Sequence, residues 1–252
     1  MSQDLLALAR RLERAQALQN ERFNQAAGGR SLPVGGGFAH LWGVGHPLNQ
    51  ALGLLDPIPE AELEAIEAFL GVPTVLELSP AADPELWPLL AKRGYSLRQF
   101  QQLWHRSLLV PEPEVHVAKV KVVQASEAKS FNRIVNAGYL ERDDWRDVLP
   151  PFEIPIGLPD AWGFIVFADG EWAGGGTLGI VDGVALLSGD AVLPRYRGRG
   201  LQKALIGARL RFAGERGCDV ACASTEPGTA SQRSYEACGF RVAYPKVEMS
   251  RG

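Results

Sequence analysis

The sequence predicts an α/β (α+β) chain, a mixed and mostly antiparallel sheet flanked by helices, on three observations. Helical and strand-like periodicities alternate along the whole length. Two Asp-Gly turns, Asp169-Gly170 and Asp182-Gly183, join three apolar runs into an antiparallel meander. The last of those runs ends in a turn rich in glycine and arginine that opens a helix. The 252 residues suffice for one large domain or two small ones. Apolar residues make up 46% and charged residues 22%, a globular balance that excludes a disordered, collagen-like or coiled-coil chain.

Each element follows from its pattern. Leu5, Leu8 and Leu12 with charges between them predict an amphipathic helix over Leu5 to Phe23, its apolar face packed on its own domain. Gly28 to Gly53 mixes glycines with β-formers such as Phe38 to Trp42 and predicts short strands and turns. Pro59 opens a helix over Glu60 to Leu70, with Glu60, Glu62 and Glu64 at the positive end of its dipole. A strand over Val72 to Leu78, a helix over Pro84 to Arg93 closed by Gly94, and a strand over Tyr95 to Leu109 complete a first set. Pro111 and Pro113, within Val110 to Val117, mark the expected boundary, giving domains 1–112 and 113–252. The second set is a strand over Val117 to Val123, a helix over Glu127 to Tyr139 and an irregular stretch over Glu141 to Pro155. Strands over Gly163 to Ala168, Trp172 to Ile180 and Val184 to Leu193 precede a helix from Gly200 to Arg216. A strand over Asp219 to Ser224, a helix over Thr229 to Cys238 and a strand over Arg241 to Met249 end the chain. Both sets close alike, in Arg93-Gly94-Tyr95-Ser96-Leu97 and Cys238-Gly239-Phe240-Arg241-Val242, which reads as a degenerate internal repeat.

Composition limits the function classes. With 26 basic and 29 acidic residues, a net charge of −3, the chain lacks the basic balance of a nucleic-acid binder. No apolar run approaches the roughly 20 residues of a membrane span, and the opening residues resemble neither a secretion signal nor a transit peptide. The expectation is a cytoplasmic protein, monomeric or homodimeric, without a nucleic-acid or membrane partner. Cys218, Cys222 and Cys238 form no C-x-x-C pair and read as buried thiols. His40, His46, His105 and His116 share no metal-ligand spacing, so no metal is expected. Gly174-x-Gly176-x-x-Gly179 matches a dinucleotide fingerprint formally but runs into a hairpin rather than a helix, and reads as a glycine-bearing strand.

The chemistry concentrates in Val192 to Leu205. Gly198 and Gly200 let successive backbone N–H groups converge, the helix they open adds its positive end, and the turn is suited to phosphate. Arg195, Arg197, Arg199 and Lys203 add positive charge, and no acid lies between Asp190 and Glu215 to cancel it locally.

Arg195-x-x-Gly198-x-Gly200 after a strand resembles the acyl-CoA pyrophosphate loop of the GNAT superfamily of N-acetyltransferases. Ser231-x-x-x-Tyr235-x-x-x-Gly239-Phe240 resembles the superfamily's C-terminal motif at the expected distance. The resemblance covers roughly Val117 to the C-terminus. It implies the GNAT acyl-CoA acyltransferase fold, duplicated, with an N-terminal half degenerate and without a cofactor site. In that half Leu90 stands where Tyr235 stands, and no arginine-glycine turn precedes the Glu60 to Leu70 helix.

The resemblance further implies transfer of acetyl from acetyl-CoA to the primary amine of a small molecule or peptide by direct attack. Arg195, Arg197, Gly198, Arg199, Gly200, Leu201, Gln202, Lys203 and Ser231 would bind the cofactor. Backbone groups of Ala191, Val192 and Leu193 would meet the pantetheine arm and the thioester oxygen. Tyr235 would line the cofactor site and protonate the leaving sulfur. The base varies within the superfamily, and Asp190 and Glu226 are the two acids facing the expected cleft. One departure is Gly228, where the superfamily often has asparagine. The helix ending at Tyr139 and the loop with Asp143, Asp144 and Trp145 would form part of the acceptor pocket, their acids hinting at a cationic acceptor. A second reading stays open: a non-catalytic sensor or interaction protein that binds CoA or another small ligand.

Overall fold

The computed structural model describes residues 3–110 and 118–252; His116 and the proline-bearing stretch 111–117, where the domain boundary was expected, lie outside the described residues. The chain is α/β with a mostly antiparallel sheet flanked by helices. It divides into two compact units, Met1–Leu103 with Val242–Gly252, and Trp104–Arg241.

The first unit opens with α1 (Gln3–Ala26), followed by β1 (Arg30–Val34), β2 (Gly37–Leu41), β3 (Gln50–Leu52), α2 (Glu60–Leu70), β4 (Thr74–Leu78), α3 (Leu86–Lys92) and most of β5 (Ser96–Ser107). Its strands run in the order β1-β2-β3-β4-β11-β5, where β11 (Arg241–Arg251) is the last strand of the chain. β3 and β4 are parallel, with α2 as their crossover, and β4 pairs antiparallel with β11 from Leu78↔Val247 to Thr74↔Arg251. Leu63, Ile66, Leu76 and Leu90 pack the core between helices and sheet. Gly71 and Gly94 close α2 and α3 at φ 75° and 80°, the left-handed conformation in which a Cβ would be strained.

The second unit holds β6 (Val120–Val122), α4 (Ala128–Tyr139), β7 (Ala161–Ala168), β8 (Glu171–Val181), β9 (Val184–Val192), α5 (Leu201–Gly214), β10 (Val220–Thr225) and α6 (Ala230–Ala237). Its order is β6-β7-β8-β9-β10, with the end of β5 beside β10. β6 to β9 are antiparallel, and β9 and β10 are parallel with α5 crossing between them. Asp169 and Asp182 take positive φ before Gly170 and Gly183, so the two tight turns form as the Asp-Gly pairs predict. Phe131, Ile134 and Val135 of α4 and Leu205, Ile206 and Leu210 of α5 pack the core.

Both units therefore contain an antiparallel β-meander whose third strand is followed by a crossover helix, a parallel strand, and a further helix. Cys218, Cys222 and Cys238 are buried and form no disulfide, as their spacing predicts.

Candidate active site

Parallel pairing of β9 with β10 runs from Val184↔Val220 to Leu186↔Cys222. β9 continues to Val192 and β10 to Thr225 without further pairing between them, so the sheet opens at their C-terminal ends. At the opening, Gly175 faces Ala191 while Thr177 faces Ser188, so Gly176 opposes both Gly189 and Asp190 in a β-bulge. Gly189 has φ 66°, which the bulge requires. Past it, Leu193 N–H donates to Ala173 C=O at 2.9 Å. Because amides alternate sides along a strand, Val192 points its N–H away from β8, into the opening. Its carbonyl accepts Arg197 Nε at 3.0 Å.

The turn after β9 leads to α5 through Gly198 and Gly200, at φ 75° and 76°. Arg197 N–H is held by Pro194 C=O and Ala204 N–H by Gly200 C=O, both at 3.1 Å. Between them, no acceptor among the described residues takes the N–H groups of Gly198, Arg199, Gly200, Leu201, Gln202 and Lys203. This run of donors at a helix start is an anion cradle. The Arg195 guanidinium lies 4.8 Å above the buried Tyr196 ring, and Lys203 has no ion-pair partner among the described residues.

Two arginines of the turn point elsewhere. Arg197 braces the fold: Nη2 donates to Gly138 C=O at 2.9 Å and Nη1 pairs with Glu141 at 2.5 Å. Arg199 forms a two-point ion pair with Asp169, both distances 2.8 Å. Acids distant in sequence thus reach the turn, and the absence of acids between Asp190 and Glu215 does not leave its field uncancelled. Gln202 bridges α5 to α6, donating to Ser231 Oγ and accepting from Ser234 Oγ, both at 3.1 Å.

Asp190 and Tyr235 come together. Tyr235 O–H donates to Asp190 Oδ2, and Asp190 Oδ1 pairs with Nη2 of Arg209, a fully buried residue of α5. Burial, and then the negative charge of Asp190, raise the Tyr235 phenol well above its ordinary pKa near 10. This bears on the expected acid role: the hydroxyl already donates a hydrogen bond to Asp190, and losing its proton to sulfur would leave two anions side by side in a buried site. Asp190, with both oxygens hydrogen-bonded, is similarly committed. Glu226 is exposed and follows β10 directly.

The rest of the C-terminal motif has structural reasons. Phe240 packs edge-on against the Tyr235 ring at 5.0 Å, and Gly239 turns the chain at φ 80°. Thr229 caps α6 by accepting from Gln232 N–H at 3.2 Å, and Gly228 N–H donates to Gln232 Oε1 at 2.7 Å.

On the acceptor side, Asn132 and Asn136 of α4 hold the chain opposite. Asn132 Oδ1 accepts from Ile154 N–H at 2.6 Å, its Nδ2 donates to Ile154 C=O at 3.0 Å, and Asn136 Nδ2 donates to Phe152 C=O at 3.1 Å. Tyr139 is half exposed and stacks obliquely on Phe152 at 6.0 Å. The nearby acids are already engaged: Glu141 with Arg197, Asp143 with Arg195 N–H at 2.9 Å, and Asp144 with Arg142 at 2.5 Å. The hint of a cationic acceptor loses its footing there.

Arg209, Asn132 and Asn136 escaped the reading of the sequence. Arg209 had a signal: it falls on the same helical stripe as Leu201 and Leu205, a charge on an apolar face. The Gly174-Gly175-Gly176 run was another, since adjacent glycines in a strand mark close approach.

Residues 129–240 match the model of the Acetyltransferase (GNAT) family. This segment is a GNAT acetyltransferase domain. The whole fold is similar to that of a GCN5-related N-acetyltransferase from Kribbella flavida, at 20% identity, TM-score 0.67, covering 96% of this chain and 95% of that one. A GCN5-related N-acetyltransferase from Sphaerobacter thermophilus gives TM-score 0.54 at 15% identity, over 76% of this chain and 64% of the other. A tandem GNAT protein from the clavulanic acid biosynthesis pathway gives TM-score 0.53 at 16% identity, over 76% and 67%. No curated protein sequence matches the chain. No described helix of this GNAT-containing chain is long and apolar enough to cross a membrane.

Proposed function

We propose that the GNAT domain transfers acetyl from acetyl-CoA to the primary amine of a small molecule or peptide. The observation that carries this reading is the run of unpartnered N–H groups from Gly198 to Lys203, next to the opening into which Val192 N–H points. The cradle would take the pyrophosphate, with Arg195 and Lys203 supplying charge. Ala191, Val192 and Leu193 would align the pantetheine arm, Val192 N–H stabilising negative charge as it grows on the thioester oxygen. The amine nitrogen attacks the carbonyl carbon, the C–N bond forms and the C–S bond breaks. The amine proton passes through water to Glu226, the exposed acid at the end of β10. The sulfur leaves as thiolate, tolerable for a thiol of pKa near 8.5, so Asp190 and Tyr235 serve as anchors rather than as base and acid.

In the first unit no arginine-glycine turn precedes α2. Asp56, Glu60 and Glu62 surround the start of α2, and Gly35 N–H donates to Glu62 Oε1 at 3.0 Å. This supports reading it as a degenerate copy of the GNAT arrangement that acts as scaffold.

Calorimetric titration with acetyl-CoA tests the proposal, followed by thiol release across a panel of amines. Binding of one molecule per chain, abolished by Gly200→Asp, and amine-dependent thiol release are expected; no binding at millimolar acetyl-CoA overturns the reading. The mutual engagement of Asp190 and Tyr235 favours one alternative, a sensor that binds CoA without turning it over. That alternative predicts binding without thiol release for every amine.

A further inference from the structure

Arg209 is buried completely, yet both terminal nitrogens of its guanidinium are directed at one feature, the bulge where β8 meets β9. Nη1 donates to Thr177 C=O at 2.8 Å and reaches Ser188 C=O at 3.4 Å. Nη2 pairs with Asp190 Oδ1, and Nε donates to Leu205 C=O of its own helix at 3.1 Å. One guanidinium therefore ties both strands flanking the bulge, and the bulge residue itself, to the middle of α5. The surroundings are shaped for it. A Cβ on Gly176 would lie 2.5 Å from Asp190 Oδ1 and 2.8 Å from Arg209 Nη1. Uncharged side chains in place of both Arg209 and Asp190 would hold the core about as well, because a buried ion pair is a weak source of stability.

We propose that Arg209 is a positioning residue for the acyl-transfer site: it fixes the Gly189–Asp190 bulge and so sets the direction of the Val192 N–H. The inference rests on the acyl-transfer reading above. A shift of about 1 Å at a reacting centre costs on the order of a hundredfold in rate, so clamping the bulge affects turnover more than binding. The cradle at the start of α5 does not depend on the clamp.

The test separates positioning from stability. Arg209→Met leaves Asp190 buried and uncompensated, and is expected to lower both Tm and kcat. Arg209→Lys, which keeps the charge but not the fork, restores Tm in part and kcat less. The double variant Arg209→Met with Asp190→Asn removes both charges. Its Tm is expected to return to within a few degrees of wild type while kcat for thiol release stays about tenfold or more below wild type. Its acetyl-CoA affinity is expected to stay within about twofold, and segment 186–193 to exchange its amide hydrogens faster. Recovery of kcat and of amide protection together with Tm would overturn the proposal, leaving Arg209 a structural residue only. If wild-type protein binds no acetyl-CoA or releases no thiol, the acyl-transfer reading fails, while amide exchange at 186–193 in the double variant still decides whether Arg209 holds the bulge.

Discussion

Tyr235 shows how one side chain can be visible in a sequence while the contact that bears on its role is not. The motif Ser231-x-x-x-Tyr235-x-x-x-Gly239-Phe240 marks it plainly, but its partner Asp190 is 45 positions earlier, and Arg209 approaches from another helix. Hydrogen-bond direction across elements leaves no trace in spacing, so the motif alone suggests a proton donor to sulfur, whereas the structure shows the phenol donating a hydrogen bond to a carboxylate. The two roles differ in magnitude. Removing a general acid costs about 10²–10⁴-fold in rate, whereas removing a hydroxyl that only steadies Asp190 costs less than about tenfold and about 1–3 kcal/mol of stability. Tyr235→Phe is therefore expected to lower Tm clearly and kcat for thiol release only slightly. A hundredfold fall in kcat at unchanged Tm would restore the acid assignment. Glu226 carries the opposite expectation: Glu226→Gln should lower kcat by more than about tenfold with Tm unchanged, and an unaltered kcat would remove it as the base.

At the scale of elements, the turn and helix from Leu193 to Gly214 were legible almost residue by residue, because glycines at positive φ followed by a helix dictate converging N–H groups. The side chains around that turn were not. Four cations in close succession read as four phosphate ligands, yet Arg197 braces α4 and β9 and Arg199 is held by Asp169 in the β7–β8 turn. The alternation of the meander already puts Asp169 at the end of the sheet where β9 runs out and Asp182 at the other end, but whether a side chain from that turn reaches Arg199 depends on contacts that spacing does not record. A testable consequence follows from the competition between Asp169 and phosphate for Arg199. Asp169→Asn releases the guanidinium, and because the pair is exposed its loss is worth little to folding. Acetyl-CoA is then expected to bind about two- to fivefold more tightly, with the gain shrinking as salt is raised. Calorimetry at two ionic strengths checks it, and an affinity that is unchanged or weaker at low salt would show that Arg199 takes no part in binding.

At the scale of the whole chain, the alternation of elements and the likeness of the two sets were readable, but the placement of the last strand was not. Arg241 to Met249 follows the GNAT motif directly and was assigned with it, whereas β11 completes the first unit beside β4. What draws it there is visible only in three dimensions. Lys246 on β11 is fully buried against Glu13 at 3.0 Å and Glu77, and Tyr244 O–H donates to Glu13 at 2.8 Å. Lys246→Met would leave two buried carboxylates without a counterion, and a loss of about 3–5 kcal/mol is expected in denaturant unfolding of the intact chain. The same unit sets a pH dependence through His40. Its ring is fully buried on β2, 3.2 Å from Ser31 Oγ and 3.3 Å from Glu21 Oε2. Burial outweighs the Glu21 charge and lowers its pKa to about 4 from the ordinary 6.5. Below pH 6.5 the unfolded chain therefore takes up a proton that the folded chain refuses until about pH 4. The contribution is complete above pH 6.5 and is lost as pH falls toward 4, by up to about 3 kcal/mol. Glu13, raised by its burial, slopes the other way, so the informative quantity is a difference between proteins. The unfolding free energy of wild type minus that of His40→Asn should fall by that amount between pH 7 and pH 4. A difference that stays flat across the range would mean that His40 is protonated in the folded chain or reaches solvent there.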